Sequence, residues 1–60
     1  MERTIKYRVN DDKRIISIKF EDNSQPINIK DPSKEGFRVT CGDSVVLEVI
    51  GCQLNYIEII

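Results

Sequence analysis

Thr4-Ile5-Lys6-Tyr7-Arg8-Val9-Asn10-Asp11-Asp12-Lys13-Arg14-Ile15-Ile16-Ser17-Ile18-Lys19-Phe20 is the stretch from which the fold can be read. Ile5, Tyr7 and Val9 alternate with Thr4, Lys6 and Arg8, and Ile16, Ile18 and Phe20 alternate with Ile15, Ser17 and Lys19. A period of two puts successive side chains on opposite faces of an extended chain, so each half predicts a strand with one buried face. Between them, Asn10-Asp11-Asp12-Lys13 has the chemistry of a tight turn. With Asp11 and Asp12 as the loop residues, Ile5 faces Ile18 and Tyr7 faces Ile16, and both apolar sets share one face. A slip of one residue would turn one set to solvent, so the pattern specifies its own register.

Downstream, Glu21-Asp22-Asn23-Ser24-Gln25 is a polar loop, and Pro26 fits only the start or edge of the next strand, Ile27–Lys30, with Ile27 and Ile29 inward. Asp31-Pro32-Ser33-Lys34-Glu35-Gly36 predicts a capped single turn, at most a 3-10 turn, with Asp at the cap, Pro at the first helical position and Gly as the stop. Phe37, Val39 and Cys41 form another inward set, followed by a Gly42-Asp43 reversal and the strand Ser44–Ile50. There the pattern puts Val45, Leu47 and Val49 inward and Val46 and Ile50 on the other face. Gly51 ends that strand, Leu54-Asn55 turns, and Tyr56–Ile60 is the last strand, with Ile57 and Ile59 alternating with Tyr56 and Ile60. The whole predicts one all-β domain over residues 1–60: an antiparallel barrel or rolled sheet of five to six short strands.

Composition agrees. There is no Ala, Leu occurs only at 47 and 54, and Ile and Val, whose branched Cβ suits a pleated surface, dominate the apolar content. A chain of 60 residues has room for one domain, and folds of that size bury only about 60% of the surface that the unfolded chain exposes. With no His and two Cys, a four-ligand zinc site cannot be completed within one chain. Nothing at the N-terminus reads as a secretory signal, so Cys41 and Cys52 are expected to be thiols. No apolar run approaches the roughly 20 residues that span a bilayer. The expectation is a soluble, cytoplasmic protein.

The stretch Ile16–Ser24, then Pro26-Ile27-Asn28-Ile29, then Phe37-Arg38-Val39-Thr40-Cys41-Gly42-Asp43-Ser44-Val45-Val46-Leu47 resembles the small barrels of the Src-homology-three type and their Tudor and Sm relatives. Those show a strand, an acidic turn, a second strand and an apolar-x-x-Gly-Asp-x-Val reversal. The resemblance covers residues 14 to 60 and implies a module that binds peptides or nucleic acid. A second stretch, Val9–Ile16 with Val39–Val45, looks like the swapped-hairpin DNA-binding regulators of the AbrB type. That family joins its two pieces by a Pro-led helix, whereas here the connection is the longer, strand-like Glu-Asp-Asn-Ser-Gln-Pro-Ile-Asn-Ile.

Catalytic chemistry finds little to use. With no His for acid-base work, Cys41 beside Gly42-Asp43 is the one nucleophile to name, and its plainer role is a small core residue at a strand end. Asp11-Asp12 and Glu21-Asp22-Asn23 lack the spacing and terminal bidentate Glu of a calcium loop. Gly36, Gly42 and Gly51 do not make a phosphate loop. The expectation is therefore no enzyme, no cofactor, no metal and no small-molecule substrate.

Two surface features remain. The net charge is −1, but residues 1–20 carry six cations and three acids, and residues 21–60 three cations and seven acids. If Phe20 pairs with Ile27, then Thr4, Lys6, Arg8, Ser17, Lys19, Asn28 and Lys30 share an outer face. Lys6, Arg8, Lys19 and Lys30 would then suit a phosphate backbone in a sequence-tolerant RNA- or DNA-binding module, although no aromatic side chain is there to stack on bases. The second feature is apolar: Val46, Ile50, Tyr56 and Ile60 lie opposite the inward sets of the last two strands, and so short a chain has little else to cover them. The leading expectation is an interaction module that binds a protein partner and forms a homo-oligomer through its C-terminal strands.

Overall fold

A computed structural model describes residues 1–60, Asp31 through its backbone alone. Six strands follow one another: β1 (Glu2–Val9), β2 (Ile16–Glu21), β3 (Ile27–Ser33), β4 (Gly36–Cys41), β5 (Ser44–Ile50) and β6 (Leu54–Ile59). All pairings are antiparallel, and no helix occurs among the described residues. The strands divide into two three-stranded sheets, ordered β2-β1-β6 and β3-β4-β5. No strand ladder joins β2 to β3 or β5 to β6, so the predicted Phe20–Ile27 pairing does not form. The all-β antiparallel architecture stands, as two sheets rather than one continuous ladder.

The first hairpin has the predicted register, with Ile5 opposite Ile18 and Tyr7 opposite Ile16. Its tip differs. Asn10 and Asp11, at φ 52° and 56°, are the central pair of a turn closed by the Asp12 N–H donating to the Val9 carbonyl at 2.9 Å. Two positive φ values in succession are the mark of a type I′ turn, which Asn and Asp tolerate. The residues left over before β2 are held by Asp12, whose Oδ1 accepts the Arg14 backbone N–H at 3.0 Å.

The core lies where the two middle strands face each other. Ile5 and Tyr7 of β1, Phe20 of β2, and Phe37, Val39 and Cys41 of β4 are buried. Tyr7 and Phe37 meet edge to face across the sheets, ring centroids 5.5 Å apart. Ile18, Ile27, Val46, Leu47, Val49, Leu54, Ile57 and Ile59 pack around this centre. Ile16 and Ile29 point to the same interior but sit on edge strands, where they remain 42% and 40% exposed.

Three corrections follow from register shifts. Residues 31–36 form no 3-10 turn: β3 runs on to Ser33, and Lys34-Glu35 is the tip of a hairpin. The Ser33 hydroxyl accepts the Glu35 N–H at 3.1 Å, while the capping role expected of Asp31 lies outside the described residues. The β3–β4 ladder steps between Lys30 and Ser33, so Pro32 sits at a bulge, where its missing N–H is harmless.

In β5 the ladder steps between Val39 and Thr40, so that Val39 pairs with Leu47 but Thr40 with Val45. Val46 is the extra residue. The step reverses the expected facing: Val46 packs on the core and Val45 is 54% exposed.

At the C-terminal end, β6 begins at Leu54. The turn expected at Leu54-Asn55 lies at 51–53, where the Gly51 N–H donates to the Glu35 carbonyl at 2.8 Å.

Candidate interaction surfaces

Opposed residues in an antiparallel ladder share a face, so the pairings determine what each surface carries. With Ile5 and Tyr7 inward, the outer face of the β2-β1-β6 sheet carries Thr4, Lys6 and Arg8, then Ser17 and Lys19 opposite Lys6 and Thr4. It also carries Glu58 opposite Lys6 and Tyr56 opposite Arg8, and Glu2 opposite Glu21. Lys6, Arg8 and Lys19 therefore share their face with three carboxylates. One of these, Glu2, lies 3.8 Å from the Lys19 ammonium. Lys30 is not with them: it stands on β3, opposite Arg38, on the other sheet. The sequence pattern missed the acids because they arrive with β6, whose place beside β1 is a long-range pairing that no local period encodes.

The residues proposed for self-association divide between both faces of the molecule. Ile50 is the most exposed of them, at 80%. It projects from the outer face of the β3-β4-β5 sheet, opposite Gly36. Tyr56 and Ile60, 38% and 57% exposed, belong to the other sheet. Glu58, a hydrogen-bonding carboxylate two residues on, holds the Tyr56 phenol above its ordinary pKa range. Val46 leaves this set for the core, and Val45 takes its place on the outer face. One signal in the sequence was available: Val45-Val46-Leu47 is an apolar triplet, which a strict period of two cannot bury on one side.

Around Ile50 the surface is shaped. A depression of about 280 Å³ lies among Ser33, Glu35, Gly36, Arg38, Glu48 and Ile50. It lies beside position 36, which carries no side chain. Gly36 has φ +143°, and a Cβ there would come within 2.2 Å of the Val49 carbonyl oxygen. Beside it, Arg38 donates through Nε to Glu48 Oε2 at 2.8 Å, with a second, shorter contact from its terminal nitrogen. Going along β4 and β5, the outer face thus reads Gly36 beside Ile50, Arg38 beside Glu48, and Thr40 beside Val45.

Cys41 is 1% exposed, and its thiol donates to Asn23 Oδ1 at 3.0 Å. The same loop orders itself: Asp22 Oδ1 accepts the Ser24 N–H at 2.8 Å and Asn23 Oδ1 accepts the Gln25 N–H at 3.0 Å. The Gly42 N–H donates to the Pro26 carbonyl at 2.9 Å. These contacts latch the crossover between the sheets onto the β4–β5 turn. Both cysteines are free thiols. Among the described residues no group of three His, Cys, Asp or Glu stands close enough to hold a metal ion, and no helix is long and apolar enough to cross a membrane. Comparison with protein-family models, curated proteins and solved structures finds no match.

Proposed function

We propose that this chain is a non-enzymatic interaction module that binds a protein partner, first of all a second copy of itself, through apolar residues turned outward on its C-terminal strands. The observation that carries the reading is Ile50, 80% exposed, with Val45, 54% exposed, on the same face. Both belong to a molecule whose extents are 31 × 21 × 12 Å. So thin a body has two sheets and one interior layer, and nothing of its own is left to lay over β5. Burying Val45 and Ile50 from each of two copies engages four side chains at up to roughly 1.5–3 kcal/mol each. The opposing association cost is at least about 4 kcal/mol. The balance corresponds to a weak, reversible dimer.

Sedimentation velocity over a concentration series tests this. The wild type should sediment faster as concentration rises, and one of two double variants, Val45→Glu, Ile50→Glu on one sheet or Tyr56→Glu, Ile60→Glu on the other, should remain monomeric. A wild type that stays monomeric at millimolar concentration contradicts the reading. The nucleic-acid alternative through Lys6, Arg8, Lys19 and Lys30 gains no support from a face on which three of these cations are interleaved with Glu2, Glu21 and Glu58.

A further inference from the structure

We infer that a second copy of this chain docks on the outer face of β4 and β5 about a two-fold axis, seating Ile50 of each copy over the partner's Gly36 and facing Arg38 of each with the partner's Glu48. The inference rests on the self-association proposed above and names its surface.

The cross-strand register supplies the geometry. An axis lying in the interface, parallel to the strands and midway between β4 and β5, places β4 of one copy over β5 of the other at the same height. Every pair that is opposed across the ladder is then also opposed across the interface, which is the condition for an isologous contact. Gly36 is opposite Ile50, so the depression over the glycine meets the most exposed aliphatic side chain that β5 carries. Arg38 is opposite Glu48, so the two ion pairs close into a ring of four alternating charges. Thr40 is opposite Val45. Thr40 is itself 7% exposed, so Val45 is the residue of this row that reaches the second copy.

The dimensions of the molecule set a ceiling on the area, one that suits a weak dimer. A face of 31 × 21 Å, covered on both copies, removes at most about 1,300 Å² from solvent, near the low end of specific interfaces. On the other sheet the β1–β2 ladder opposes Glu2 to Glu21 and Thr4 to Lys19, and Lys6 with Glu58 on β1–β6 is the opposed charge pair of its outer face.

A mixing experiment isolates contacts between copies from contacts within one. Arg38→Glu by itself sets acid over acid across the axis, and Glu48→Arg by itself sets cation over cation. Each should therefore self-associate at least about 10-fold more weakly than the wild type. Mixed together, the two variants regain opposite charges at both contacts and should form a heterodimer, although the clash within each chain is unchanged. Circular dichroism establishes that each variant is folded, and Ile50→Glu, at a site already exposed, supplies an independent loss of dimer. Failure of the mixture to associate more tightly than either variant overturns the inference. So does a dimer that survives Ile50→Glu but is lost in Tyr56→Glu, Ile60→Glu, an outcome that leaves self-association standing on the other sheet. A monomeric wild type removes both.

Discussion

Gly36 combines two constraints at one position. Its φ of +143° is outside the range that side-chain-bearing residues adopt, and the atom a Cβ would strike is backbone, the Val49 carbonyl. Neither can relax cheaply, so Gly36→Ala should cost about 2 kcal/mol or more. Thermal melting of so small a domain would read this as a fall in Tm of roughly 8–16 °C; an unchanged Tm would mean that the β3–β4 turn is built differently. Asp12 makes a pH-dependent counterpart. The Arg14 backbone N–H, and then the Arg14 guanidinium 3.2 Å from Oδ2, hold its carboxyl below the ordinary range. A lowered folded-state pKa means stability that is present above the unfolded value and lost as pH falls through the folded one. Asp12→Ala should therefore melt below the wild type at neutral pH, with the gap narrowing once the solution is acid enough to protonate the wild-type carboxylate. A gap independent of pH would assign the effect to the loop backbone alone.

At the scale of elements, the strands were legible and their irregularities were not. Thr4–Val9 and Ile16–Phe20 could be paired correctly because both apolar sets had to fall on one face, and no alternative register achieved that. Ile27 and Phe37-Val39-Cys41 were likewise placed by alternation. The bulges escaped because each inserts one residue without disturbing the local composition: Val46 in β5, and the steps at Lys30/Ser33 and Arg8/Val9. The bulge at Val46 has the largest consequence, since it exchanges which valine is core and which is surface. Val46→Glu should bring a charge into the packed interior and cost at least about 2–3 kcal/mol, enough to unfold a marginal domain. Val45→Glu should alter fold stability by no more than about 0.5 kcal/mol. Chemical denaturation of the two variants side by side checks this, and equal losses would place the bulge elsewhere.

For the whole molecule, local patterning ran out at the assembly of the strands. Which strand lies beside β1 is decided by a pairing between the two ends of the chain, and that placement brings Glu58 next to Lys6 and divides the four cations between two sheets. The apolar surplus of the C-terminal strands was visible in the sequence; that it falls on two opposite faces, with Ile50 on one and Tyr56 and Ile60 on the other, follows only from the sheet order. The central claim is that copies meet through the outer face of β4 and β5. Amide chemical shifts followed by NMR during serial dilution test it most directly, since they report association and its location together. Concentration-dependent shifts at Gly36, Arg38, Val45, Glu48 and Ile50, with β1 and β2 unmoved, are the predicted result. Spectra that do not change with concentration, or changes confined to the β2-β1-β6 sheet, would contradict it.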